Sequence, residues 1–116
     1  MKIKAVYKYS RMSPSKVGDV TRLIQGMPAS RALDMLRAIP RKSARLVEKT
    51  LKSGIANAME YGRQHNAPVS PDALRVEEAV ANEGPRLKRF QPKARGSAGR
   101  ILKRLSHIQI ILTDEA

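Results

Sequence analysis

Residues 83–107, Glu83-Gly-Pro-Arg-Leu-Lys-Arg-Phe-Gln-Pro-Lys-Ala-Arg-Gly-Ser-Ala-Gly-Arg-Ile-Leu-Lys-Arg-Leu-Ser-His107, decide how the chain is read. Between Arg86 and Arg104 there are eight basic residues and no acidic one: Arg86, Lys88, Arg89, Lys93, Arg95, Arg100, Lys103 and Arg104. These nineteen residues supply +8 of the chain's formal net charge of +13. Like charges in one short segment repel and disfavour the compact state, so a polyanion that neutralises them is the natural account. Nucleic acid is the first candidate.

The same stretch has a recognisable form. Strand-like runs flank it, Leu74–Val76 continuing through Ala79–Ala81 on one side and Ile108–Leu112 on the other. The turn signal Gly96-Ser97-Ala98-Gly99 sits between the two basic runs. This order predicts one long antiparallel hairpin. Pro85 and Pro92 cannot donate ladder hydrogen bonds, so the outer part is a two-stranded ribbon rather than the interior of a wide sheet. At about 3.3 Å per residue the arm reaches roughly 30 Å or more. A free ribbon of two strands is marginal in water, so its partner holds it.

Working outward, Lys2–Tyr9 alternates: Ile3, Ala5, Tyr7 and Tyr9 on an inner face, Lys2, Lys4 and Lys8 on an outer one. With Arg11 and Lys16 this start forms a second, weaker basic patch. Ser13-Pro14 predicts a helix start, serine capping and proline in the first turn. Val17, Val20 and Ile24, with Leu23 beside them, carry that helix over about 14–25, and Gly26 suits its left-handed end. A short second helix opens at Met27–Ser30, lines Ala29, Leu33 and Leu36 on one face with Ala32 and Met35 adjacent, and stops before Pro40. The longest helix spans about 41–62 on Ala44, Val47, Leu51, Ile55 and Ala58. Arg45, Glu48, Lys49 and Lys52 are placed outward, and Gly54, Ala56 and Ala58 predict close packing. Gln64–Pro71 reads as a loop. The strand bases follow at about 73–82 and 100–113.

The predicted fold class is therefore α+β: three helices packed on a small three-stranded antiparallel sheet, with a long protruding basic β-hairpin. Its 116 residues make one domain, with a globular part at about 1–83 and 106–116 and an arm at about 84–105. There is no tryptophan and one phenylalanine, so the core must be aliphatic. The absence of cysteine excludes disulfides and thiolate metal sites. No run approaches the length of a membrane helix and Lys2 and Lys4 precede no signal-like segment, so a soluble intracellular protein is expected.

Other motifs carry less. Phe90 can stack on a base or pack across the ribbon on Ile101 or Leu102, and both readings stand. Gly96–Gly99 matches the GXXG pattern of KH domains, but strands rather than helices flank it, and a hairpin tip is the better reading. His65 and His107 have no carboxylate at ligand spacing, so no metal site is expected. Glu77 and Glu78 alternate across a strand and cannot form a dyad; one of them balances a nearby cation. Ser106-His107 adjacency is no nucleophile–base pair. No enzyme and no cofactor is expected. An architectural DNA-binding protein with a β-ribbon arm is the main rival to RNA binding.

Asn82-Glu83-Gly84-Pro85, Leu87–Phe90, Pro92–Gly96 and Ile101–Ile108 closely resemble the bacterial-type large-subunit ribosomal protein twenty-two family, as do Ser13–Val17 and Ser53–Ala58. The resemblance implies a structural component of the large ribosomal subunit. It implies partners: large-subunit ribosomal RNA, neighbouring ribosomal proteins, and the nascent polypeptide in the exit tunnel, which the hairpin lines. It further implies a role in assembly, a monomer within the ribosome, and a cytoplasmic or organellar ribosome, with no membrane. The RNA-binding residues it points to, together with the basic patches, are Lys2, Lys4, Lys8, Arg11, Lys16, Arg86, Lys88, Arg89, Phe90, Lys93, Arg95, Arg100, Lys103 and Arg104. Ala94, Arg95, Gly96 and Ser97 are the expected tip. Gly18, Gln25, Ser97 and Leu105 depart from the family pattern, which usually has arginine at the first two positions, a basic residue at the third and threonine at the fourth.

Overall fold

The computed structural model describes residues 2–67, 69–92 and 98–114, and for 85–92 and 98–103 it describes the backbone. Strand β1 (Lys2–Ser10) is followed by helices α1 (Pro14–Ile24), α2 (Ala29–Ala38) and α3 (Lys42–Gln64), a 3-10 turn (Pro71–Ala73), and strands β2 (Arg75–Pro92) and β3 (Ala98–Thr113). The sheet is antiparallel with order β1-β3-β2. The fold class read from the pattern of residues is thus the one observed. Helix ends fall within two residues of expectation, and the 3-10 turn replaces the first residues predicted for β2.

The last strand is the central one. Its Ile108, Ile110 and Leu112 are fully buried, and they meet Val17, Val20 and Ile24 of α1, Val47 and Leu51 of α3, and Val76 and Ala79 of β2 in one aliphatic core. Burying each such side chain contributes about 1.5–3 kcal/mol, which is where the fold's stability resides. Leu23 is outside this stripe and 53% exposed. On α3, Gly54 and Ala58 are buried as expected; Gly54 lies where an added Cβ would come 3.2 Å from Leu112 Cδ1 and 3.3 Å from Ala5. Ala56 is exposed, a correction: two residues from Gly54 is about 200° around the helix, so both cannot face the sheet.

The link between α1 and α2 seals part of the β2 edge. Gly26 takes φ +81°, and its N–H donates to the Val76 carbonyl at 2.8 Å. The Val76 N–H returns a bond to the Met27 carbonyl, and the Ala29 N–H donates to that of Leu74. Gln25 donates its side-chain amide to the Ala79 carbonyl. The predicted serine cap is corrected. Ser13 makes no side-chain bond to the helix backbone; its hydroxyl lies 3.3 Å from that of Ser15, while its carbonyl accepts from the Val17 N–H.

Glu48 is the largest correction on the helices. It is buried rather than outward, because three cations surround it. Arg37 lies 3.3 Å away, and Arg45 and Lys52 each 3.4 Å. Arg45 also donates to the Leu36 and Ile39 carbonyls at the end of α2, fastening α2 to α3.

Beyond Ser106 the sheet narrows to two strands. β1 pairs with β3 only from Lys2↔Thr113 to Ser10↔Ser106, whereas β2 continues with β3 to Pro92↔Ala98. The molecule measures 67 × 27 × 17 Å. Its radius of gyration is 17.5 Å, against about 13 Å for a compact chain of about 100 residues.

Candidate nucleic-acid interface

The root of the ribbon is built from two irregularities on either side of β3. On β2 the register shifts between Glu83 and Arg86, around Gly84-Pro85. A Cβ at Gly84 would come within 3.1 Å of the Leu105 carbonyl oxygen, so a side chain there would push the two backbones apart by a few tenths of an ångström. On β1 the register shifts between Tyr7 and Ser10. Tyr9 there adopts φ +60°, and the alternation reverses. This corrects the predicted inner face: Tyr9 is 59% exposed, and Ser10 is buried in its place. The Ser10 hydroxyl lies 2.6 Å from that of Ser106 and 3.0 Å from the Ser106 carbonyl, which explains how a buried serine is tolerated.

Past this root the register places Arg86 opposite Arg104, Leu87 opposite Lys103, Lys88 opposite Leu102, Arg89 opposite Ile101 and Phe90 opposite Arg100. Phe90 therefore directly faces neither Ile101 nor Leu102 across the ladder. Two arginines at directly paired positions destabilise an isolated ribbon. Nothing acidic in the segment offsets them. Lys93, Ala94, Arg95, Gly96 and Ser97, the expected tip, lie outside the described residues.

Most cations on the body fall into two groups. Arg37, Arg45 and Lys52 are taken by Glu48, Arg22 by Asp19 at 3.6 Å, and Arg63 by Glu60 at 2.6 Å. Burial pushes the Glu48 carboxyl up, but hydrogen bonds and attraction from Lys52, Arg37 and Arg45 outweigh it and hold the group below its ordinary value. The hydrogen-bonded Glu60 raises Arg63 in turn. Lys2 also belongs to this group. Its ammonium lies 2.9 Å from Glu77, the extra residue of a bulge on β2, so one predicted contact is engaged within the chain. That bulge breaks the alternation from which Glu77 and Glu78 were placed on opposite faces; both are exposed, and Glu77 is the one that balances a cation.

The second group is exposed and, among the described residues, makes no ion pair: Lys4 and Lys8 on β1, Arg11 after it, Lys16 in the first turn of α1, and Arg104 at the ribbon root. Arg41 and Lys42, at the start of α3, join it. With Lys16, Asp19, Met12 and Ser43 they line a cleft of about 330 Å³ between α1 and the start of α3. Their adjacency after Pro40 was visible; that α3 brings them beside Lys16 was not. The described side chains therefore leave positive charge without an ion pair along β1, at the start of α1 and at Arg104 of the ribbon root. On α2 and α3, Glu48 and Glu60 engage Arg37, Arg45, Lys52 and Arg63, while Arg31 is exposed and Lys49 lies over the Tyr7 ring. Such an arrangement can hold phosphates through lysine point charges and arginine forks.

The two histidines are accounted for by ordinary partners. His65 Nδ1–H donates to the Tyr61 carbonyl at 2.9 Å and its ring stacks on Tyr61. His107 Nδ1 accepts from the Tyr9 N–H at 3.0 Å. Among the described residues no group of three or more His, Asp or Glu is placed to hold a metal ion, and no helix is long and apolar enough to cross a membrane.

Comparison of the sequence with known proteins finds one family. The chain is 51% identical over 114 residues to the large ribosomal subunit protein uL22 of Opitutus terrae, covering 98% of this chain and 96% of that one. The protein of the same name from Akkermansia muciniphila is 49% identical over 115 residues, covering 99% and 98%. That of Chloroflexus aggregans is 47% identical over 116 residues, covering 100% and 98%. The model of the family described as ribosomal protein L22p/L17e matches residues 5–113, from within β1 to the end of β3. The chain therefore belongs to the ribosomal protein L22p/L17e family.

Proposed function

We propose that this protein is a structural, non-enzymatic component of the large ribosomal subunit that binds large-subunit ribosomal RNA. The observation that carries the reading is the ribbon. Eight cations and no acid occupy nineteen residues, and Arg86 and Arg104 are set opposite each other, an arrangement that only a polyanion stabilises. The relatives are proteins of the large ribosomal subunit, which supports ribosomal RNA as that polyanion.

The arm at about 84–105 is the part that enters the RNA, and the nascent-peptide exit tunnel is where it ends. Lys4, Lys8, Arg11 and Lys16 hold the body to the surrounding phosphates. A chain that touches RNA both with its body and some distance away joins separate RNA domains, which supports assembly. Neighbouring ribosomal proteins and the nascent polypeptide are its further partners, and it acts as a single copy in the cytoplasmic ribosome. Recognition works through phosphate and shape rather than a short base sequence.

The test is RNA crosslinking and sequencing from cells expressing a tagged chain, with sedimentation of the lysate. Cosedimentation with large subunits and crosslinks spread over several ribosomal RNA domains are expected. A chain that runs free or with the chromosome would overturn the reading and favour the DNA-binding rival.

A further inference from the structure

Tyr9 sits in the bulge of β1, and the fold leaves its ring outside the core. A strand of this pattern would turn it inward, where its ring would add to the core. Instead the backbone takes the left-handed conformation, φ +60°, which a residue with a side chain adopts only at a cost. The result is a large ring 59% exposed. Backbone strain that leaves an apolar group in water points to a function.

The surroundings hold the ring in place. The Tyr9 N–H is bonded to His107 Nδ1, and the two rings meet edge to face with centroids 4.9 Å apart. Ser10 is tied to Ser106 in the core just beneath. The neighbouring cations Lys8 and Arg11 are exposed and unpaired among the described residues. A fixed aromatic face beside free cations is the combination that takes an unstacked base together with its phosphates.

We propose that Tyr9, braced by His107, is a stacking platform for an unpaired nucleobase at the root of the ribbon, with Lys8 and Arg11 on the adjoining phosphates. This rests on the RNA-binding reading and adds a base contact to it.

The test uses the full chain and deproteinised bacterial large-subunit ribosomal RNA, with affinity measured over a range of salt. Glycine accepts a positive φ, so Tyr9→Gly removes the ring and relieves the strain; Tyr9→Asn, another residue tolerant of this geometry, is the second variant. Tyr9→Phe keeps the ring. Tyr9→Gly and Tyr9→Asn should bind about tenfold more weakly at every salt concentration, with an unchanged salt slope, while Tyr9→Phe binds as the parent does. Equal affinity of Tyr9→Gly and the parent would overturn the proposal. So would an equal loss in Tyr9→Phe, which would assign the effect to the hydroxyl, or a changed salt slope, which would assign it to phosphate contact. If the parent itself fails to bind this RNA, the RNA-binding reading falls with it; the other outcomes leave that reading standing.

Discussion

Replacing Arg86 and Arg104 together by glutamine separates what the arm does for the free protein from what it does for RNA. The two residues are paired across the ladder just beyond the point where β1 ends. In the free chain they repel, so their removal should leave stability unchanged or raise it by about 0.2–1 kcal/mol, the usual range of a cross-strand pair. On the proposed RNA-binding reading each neutralises a phosphate in the complex. The eight arm cations then set a log–log salt slope of up to about −6, at the single-strand value of about 0.7 per phosphate. Losing two contacts makes the slope shallower by about 1.4, so between about 50 and about 200 mM salt the gap between parent and variant should narrow about sevenfold. Filter binding to large-subunit ribosomal RNA over that range measures the slope, and urea unfolding measures the stability. An unchanged slope would show that these arginines touch no phosphate. A loss of more than about 1 kcal/mol in the free protein would show that they hold the ribbon together, contrary to the pairing argument.

Other consequences can be checked on the free protein. Glu48→Gln should lower stability at neutral pH by leaving Arg37, Arg45 and Lys52 together; because the folded carboxyl lies below its usual 4.5, its contribution is present above that value and lost as pH falls through the folded pKa. The variant should therefore lose less stability than the parent on acidification through that window in urea titrations. Gly26→Ala meets nothing within 4 Å, so its cost should be conformational strain alone, about 1–2 kcal/mol by chemical unfolding. Ile110→Ala, in the centre of the core, should cost about 2–5 kcal/mol in the same assay, more than any substitution on the ribbon. Deleting Leu87–Arg89 removes residues from one strand of the ribbon only, and should leave cooperative unfolding of the body intact while weakening RNA binding; loss of the cooperative transition would show that the body extends into the ribbon.

What could be read from the chain, and what could not, divides by the distance over which each feature is determined. Val17, Val20 and Ile24 repeat at helical spacing, and Pro40 stops α2; these are local facts, and the elements formed where they predict. Eight uncompensated cations are equally local, so the ribbon was readable. Glu48 was half readable, since Arg45 and Lys52 lie three and four residues away on the same helix. The third cation, Arg37, arrives only through the packing of α2 on α3, and it helps turn a surface carboxylate into a buried one. Arg41 and Lys42 join Lys16 by the same kind of long-range placement.

The reversal at Tyr9 shows most plainly why alternation has limits as evidence. A single bulge exchanges inner and outer positions for every residue after it. Here the irregularity is stabilised by Ser106 and His107, ninety-odd residues away on β3. Pro14 and the α1 stripe then restart the pattern, so the sequence of β1 alone looks regular to its end. Yet the partners are the adjacent residues Ser106 and His107, a poor catalytic couple. Their use is structural: Ser106 points inward to receive Ser10, and His107 points outward to hold the Tyr9 N–H. Alternation along β3 sends the two side chains to opposite faces, and that is why one strand can fasten both residues of the bulge. The same stretch of β3 lies against the Gly84 approach from β2. The direction in which the ribbon leaves the body is therefore set where Leu105, Ser106 and His107 meet both neighbours, and substitutions there should redirect the arm before they unfold the core.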